Sequence, residues 1–196
     1  VKLQYRFNVD QLVHLMRFAS SEVARWEASV TLVSQAIWQN VASLQQQQAM
    51  TLDPRVRDSF KGVLLDTELD PALIAEILAI PTASALIEQT ESVDLDALAL
   101  AREFVLTELA SHSEDELIAL YRSLVPVDST QARALKNQCL TWLARVSDEA
   151  EALVISQFDK ASNMTDSLGA LTAANVGDLS CRDELMTAFE LRWQDT

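Results

Sequence analysis

Three glycines and four prolines in 196 residues leave this chain little material for hairpin turns or glycine-rich phosphate loops. That scarcity favours an all-helical reading, and the long segments agree with it. In "SSEVARWEASVTLVSQAIWQNVASL" the residues Val23, Trp26, Val30, Val33, Ile37, Val41 and Leu44 recur at spacings of three and four. Such spacing lays one apolar stripe along a long helix. The following "QQQQ", Gln45 to Gln48, reads as its polar end. No segment alternates with period two between turn residues, so no sheet is expected.

Helix starts punctuate the rest. Asn8 with Gln11 makes a capping-box pattern. Asp53-Pro54 and Asp70-Pro71 each place a capping carboxylate before a proline at the first helical position, where its missing N–H is harmless. Pro81 stops the second of these helices, and a short one, "ASALIEQT", follows. Asp94, Ser113 with Glu116, Asp128 with Gln131, Ser147, and Ser180 with Asp183 mark five further starts. Roughly eleven helices joined by loops of about two to six residues result. The expected fold is all-α: irregular stacked antiparallel helix pairs of the HEAT or armadillo kind, without an exact sequence period.

The stretch "NMTD", Asn163 to Asp166, is the most ambiguous. It contains N-x-T, an acceptor pattern for glycosylation, but nothing indicates secretion. As a helix start it allows two caps, Asn163 with Asp166 at the third helical position, or Thr165 with Asp166 in the first turn. Met164, Leu168 and Leu171 then share one face. Gly169, Ala170, Ala173 and Ala174 offer small surfaces for a closely approaching neighbour, which would explain a mid-helix glycine costing ~1 kcal/mol relative to alanine.

Charge excludes some partners. Fifteen basic and twenty-nine acidic residues give a net charge of −14. Nucleic acid and anionic membrane surfaces both demand lysine and arginine, so neither is expected as a partner. No apolar run reaches membrane-spanning length and no signal peptide is expected. Two distant cysteines, Cys139 and Cys181, suit a reducing compartment, hence a cytoplasmic location.

Candidate chemistry is sparse. His14, on an amphipathic helix, and His112, in the connector "SHSED", are the two histidines, and neither is followed by glutamate as H-E-x-x-H requires. There is no nucleophile elbow, P-loop or dinucleotide fingerprint. Cys139 falls with Leu135, Trp142, Leu143 and Val146 on one helical face and reads as core. Cys181, in the first turn of a helix, would have its thiol pKa lowered by the helix dipole, but no base accompanies it, so it reads as structural. Glu114-Asp115-Glu116 and Asp148-Glu149 sit at helix N-termini, where the dipole favours negative charge by ~0.3–1 kcal/mol each. Trp26, Trp38, Trp142 and Trp193 are spaced as core or groove-lining residues. No catalytic, cofactor-binding or metal-ligating residue is assigned. From the residues alone the chain reads as an acidic helical array, and a free-standing scaffold presenting a groove to a protein partner fits it.

Five stretches together narrow this. In order, "VKLQYRFNVDQLVHLMRFA", "VLLDTELDPALIAEILAIP", "NQCLTWLA", "QFDKASNMTDSLGALTA" and "SCRDELM" closely resemble the C-terminal helical domain of bacterial aminopeptidase N. This is the gammaproteobacterial type of the gluzincin zinc aminopeptidases, or alanyl aminopeptidases. The resemblance implies a non-catalytic segment, with residues 1–196 forming a single helical domain that is an incomplete N-terminal portion of the family's C-terminal domain. It implies a partner, the catalytic domain of the same polypeptide, carrying zinc on H-E-x-x-H and a distal glutamate, and an exopeptidase signature Gly-Ala-Met-Glu-Asn. None of those motifs occurs here, so no catalytic residue is carried over, no cofactor is expected in this chain, and the chain alone is expected to be inactive. The helical domain of such enzymes caps the active site as a bowl that admits peptides and excludes folded proteins. Part of the −14 charge is expected to face that chamber and favour cationic peptide N-termini. One face is expected to be left hydrophobic, allowing copies to pair through it.

Overall fold

The computed structural model describes residues 7–193 of the chain. They form eleven α-helices: α1 (Val9–Phe18), α2 (Glu22–Gln45), α3 (Pro54–Leu64), α4 (Pro71–Leu78), α5 (Ala83–Ile87), α6 (Leu95–His112), α7 (Glu114–Leu124), α8 (Thr130–Leu143), α9 (Ala150–Lys160), α10 (Met164–Val176) and α11 (Arg182–Trp193). Among the described residues there is no strand. The all-α expectation therefore holds. The Trp193 side chain lies outside the described residues, so its expected core position has no counterpart here.

Most caps are where the sequence places them. Asn8 and Gln11 form the reciprocal box at α1, with Asn8 Oδ1 accepting from the Gln11 N–H at 2.9 Å and Gln11 Oε1 accepting from the Asn8 N–H at 3.0 Å. Asp53, Asp70 and Asp94 each accept a first-turn N–H, at 2.9, 2.7 and 3.0 Å. Four starts differ, that of α11 among them, where the Cys181 N–H is bonded by Glu151 of α9. Ser113 directly joins α6 to α7, is fully buried and makes no side-chain cap bond. Its φ of −123° and ψ of 18° are far from the extended backbone a capping serine adopts, because no linker separates the two helices. The cap of α8 is Ser129, whose Oγ accepts from the Ala132 N–H at 3.1 Å, while Asp128 is drawn away to Arg133 Nη1 at 2.6 Å. Ser147 accepts from the Glu149 N–H in a turn ahead of α9, which starts only at Ala150.

The chain divides into two compact units. One comprises Val1–Leu69 with Glu76–Leu109, the other Asp70–Ala75 with Ala110–Thr196. In the first, α1 packs on α2 and α3, and Leu12 and Met16 of α1, Leu32, Val33 and Ile37 of α2, and Val56, Phe60 and Val63 of α3 are all buried. The α2 stripe is buried at Val33, Ile37 and Val41, but Val23 and Trp26 are exposed, contrary to a uniformly buried stripe. Both lie in the first two turns of α2, where no residue is buried before Ala28. After α2 the chain turns through Gln47, at φ 55°. The buried Asn40 secures that turn, its Nδ2 donating to the Ala36 and Thr51 carbonyls at 2.8 and 2.9 Å and its Oδ1 accepting from the Thr51 N–H at 2.8 Å. Pro81 lies three residues beyond the end of α4, and its carbonyl accepts from Arg102 Nε at 2.8 Å.

In the second unit α8 is central: α7, α9 and α10 pack on it, and α10 also meets α9 and α11. Its buried face carries Leu135, Lys136, Cys139, Leu140, Trp142 and Leu143, with Val146 half-buried just beyond. On α10 the small residues Ala170, Ala173 and Ala174 are fully buried. A Cβ on Gly169 would lie 2.4 Å from Cγ and Oδ1 of Asn137 on α8, so this glycine does mark a close helix approach. Of the face shared by Met164, Leu168 and Leu171, the first two are exposed and Leu171 is half-buried. Close approach decides the orientation, since only the small face lets the backbones come together.

Candidate functional site

The junction of α7, α8, α9 and α10 gathers most of the buried polar chemistry of the second unit. Asn163 ends the loop from α9 in extended backbone and caps α10, its Oδ1 accepting from the Asp166 N–H at 2.9 Å while its Nδ2 donates to Asp166 Oδ2 at 3.1 Å. Of the two caps the sequence allows, the structure uses Asn163. This turns the Asp166 carboxylate inward, where Oδ1 meets Lys136 Nζ of α8 at 3.0 Å. Both side chains are about nine-tenths buried, so they must neutralise each other.

A neutral relay runs alongside. The Tyr121 hydroxyl of α7 donates to Gln157 Oε1 of α9 at 3.1 Å. Gln157 Nε2 donates to Asn137 Oδ1 at 2.7 Å and to the Asp166 carbonyl at 3.1 Å, and Asn137 Nδ2 donates to the Thr165 carbonyl at 3.4 Å. Four helices are thus tied by groups that would each cost about 1–3 kcal/mol if left unsatisfied. The sequence reading missed Lys136, Asn137, Gln157 and Tyr121. A signal for Lys136 was present, because it stands three and four residues before Cys139 and Leu140, within their buried face.

This junction is built to hold helices in register and offers no activated nucleophile. Burial, with the Asp166 charge second, pushes the Tyr121 hydroxyl up to about 12, and burial pushes the Cys139 thiol up to about 12. Cys139 is core, as its helical face indicates. Cys181 departs from the dipole argument: its thiol is raised, first by burial and then by the Glu151 carboxylate. Glu151 of α9 was also missed. Its Oε1 accepts from the Cys181 N–H at 2.8 Å and from the Ser180 hydroxyl, so the start of α11 is capped from another helix and not by Ser180. Replacing Glu151 with Gln removes the charge beside the thiol and favours the thiolate. Cys181 should then react faster with a disulfide reagent at fixed pH. An unchanged or slower rate would contradict this placement of the carboxylate.

The remaining candidates are dispersed. His14 is exposed on α1, its ring 5.3 Å from that of Phe18. His112 is the last residue of α6, a helical position and not the expected loop. Glu114, Asp115 and Glu116 occupy the first turn of α7, where the dipole accounts for them. Trp142 is buried, Trp26 is exposed, and the half-buried Trp38 donates from Nε1 to Gln89 Oε1 at 3.3 Å. Among the described residues no three His, Cys, Asp or Glu side chains are grouped to hold a metal ion, and no helix is long and apolar enough to cross a membrane.

Residues 9–196 match the family described as "Domain of unknown function (DUF3458_C) ARM repeats". Over 200 aligned residues the chain is 40% identical to aminopeptidase N of Escherichia coli K12, covering 98% of this chain and 23% of that protein. Aminopeptidase N of Haemophilus influenzae is 32% identical, with 99% and 23% covered. That of Caulobacter vibrioides is 30% identical over 178 residues, with 87% and 20% covered. Among solved structures, Legionella pneumophila aminopeptidase A in complex with aspartic acid superposes with a TM-score of 0.82 at 23% identity, covering 97% of this chain and 24% of that one. At that identity the likeness shows the shared fold. The chain spans less than a quarter of the length of each of these relatives.

Proposed function

This chain belongs to the DUF3458_C family of ARM repeats, as the C-terminal domain of aminopeptidase N, and on that premise we propose that it serves as a helical wall of a zinc aminopeptidase's active-site chamber. The carrying observation is the alignment itself, which takes in 98% of this chain but 23% of the relative. The polypeptide would remove N-terminal residues from peptides, with its zinc and general base in a catalytic domain outside this sequence. Bound zinc would polarise the scissile carbonyl and activate water there. The residues here would supply confinement, helical walls that admit peptides and turn folded proteins away. Within the second unit, the four-helix polar junction supports a firm wall. Residues 1–196 would act as one helical domain. The two free cysteines fit a reducing compartment, so we place the enzyme in the cytoplasm.

An antibody raised against the native chain tests this on cell extracts. It should capture chelator-sensitive alanyl aminopeptidase activity on one polypeptide roughly four times this length, since the chain spans 23% of its relatives. Capture of a polypeptide without that activity would favour the free-standing scaffold.

A further inference from the structure

In a chain of net charge −14, one cavity is lined by cations. It lies within the second unit, between the C-terminal ends of α7 and α9 and the N-terminal parts of α8 and α10, with a volume of about 430 Å³. Arg122, Arg133, Lys136 and Lys160 line it, against two carboxylates, Asp128 and Asp166. Removing those four and two from fifteen and twenty-nine leaves eleven basic against twenty-seven acidic residues elsewhere. Four cations thus face two carboxylates in the lining, and once the pairing of Arg122 with Glu149 just outside it is counted, one positive charge, that of Lys160, is unmatched.

The pairing of the four cations shows which can take a ligand. Lys136 is committed to Asp166 at 3.0 Å and forms the floor. Arg122 holds Glu149 at the surface. Arg133, with a quarter of its side chain exposed, holds Asp128 at 2.6 Å, but the Asp128 side chain is 96% exposed. An ion pair with so exposed a partner contributes ~0–1 kcal/mol, so a better-held anion can displace it. Lys160 is exposed, touches Ser156 Oγ at 2.9 Å, and has no acidic partner among the described residues. Val125, Pro126 and Leu153 add apolar wall beside these charges, and Ser162 and Asn163 add polar atoms.

We propose that this cavity binds a small organic oxyanion, a carboxylate or phosphate ester, with Arg133 and Lys160 holding the anionic group and the Val125–Pro126 wall meeting its carbon skeleton. Arginine suits this because its planar fork pairs two oxygens at once, and such charge-assisted bonds are the strong ones. The site is independent of the aminopeptidase reading, and the test uses no peptidase substrate.

Isothermal titration of the chain with citrate, with glycerol 3-phosphate, and with sodium chloride at matched ionic strength decides the matter. Saturable binding of citrate or of the phosphate ester is expected, and whichever binds tighter names the source of the anion. Binding should weaken at least about tenfold in both Arg133→Gln and Lys160→Gln and stay unchanged in Arg55→Gln, a surface cation of the other unit. Circular dichroism confirms that each variant folds, and Lys160, exposed near the end of α9, is the safer of the two. Saturation that survives Lys160→Gln in a folded variant, or no saturation by either oxyanion, overturns the proposal.

Discussion

Replacing Lys136 with methionine is expected to destabilise the chain by about 3–5 kcal/mol, because it leaves the Asp166 carboxylate buried without its counter-charge. Methionine keeps most of the side-chain volume within the α8 face, so the loss reads out charge and not a cavity. Asp166 would retain the Asn163 amide through Oδ2, at 3.1 Å, which satisfies one oxygen and leaves the other facing α8. At this chain length a loss of that size lowers the midpoint of thermal unfolding by roughly 10 °C. Pairing Lys136→Met with Asp166→Leu removes both charges and should restore most of the stability, since replacing a buried pair by apolar groups is often neutral. If the double variant is as unstable as the single one, the cost lies in lost packing and not in an orphaned charge.

Gly177→Ala should destabilise by about 2–3 kcal/mol, against the usual gain from such a replacement. Gly177 is the C-cap of α10, and its φ of −83° suits any residue, so backbone freedom is not the reason for glycine. The reason is space. A Cβ there would stand 2.2 Å from the carbonyl oxygen of Ala144 and 2.9 Å from its carbon. Ala144 caps α8, with its N–H bonded to the Leu140 carbonyl at 2.9 Å, so this backbone cannot swing aside. The end of α10 would have to lift off α8. Gly62→Ala is the matched control, because its Cβ would meet the Arg17 guanidinium, the movable end of a flexible side chain. That variant should stay within about 1 kcal/mol of the parent. Urea unfolding of the three proteins measures both, and equal effects at Gly62 and Gly177 would contradict the distinction.

The helices were legible in the sequence because caps are local chemistry. Asn8 with Gln11 and the two Asp-Pro starts need only residues a turn apart, and they were found. The misplacements share one cause, which is competition from outside the local window. Asp128 and Ser129 are adjacent good caps, and Arg133 takes the first, leaving the second for the backbone. Ser180 looks like a cap but gives its hydroxyl to Glu151, twenty-nine residues earlier, which caps in its stead. On α10 the small face of Gly169, Ala170, Ala173 and Ala174 was legible, because size governs close approach, and it is the packed one. The polar junction was the least legible part, since Tyr121, Gln157, Asn137 and Asp166 come from four helices and share no sequence pattern. The family was legible for a different reason: five short stretches kept their order along the chain.

We propose that this chain carries no peptidase chemistry of its own, and an assay of the purified chain, with equimolar zinc, against an alanyl chromogenic amide decides it. The full-length polypeptide should hydrolyse the amide under the same conditions, and this chain should give no turnover above the zinc blank. Zinc-dependent turnover by the chain, abolished by a chelator and restored by the metal, would contradict it.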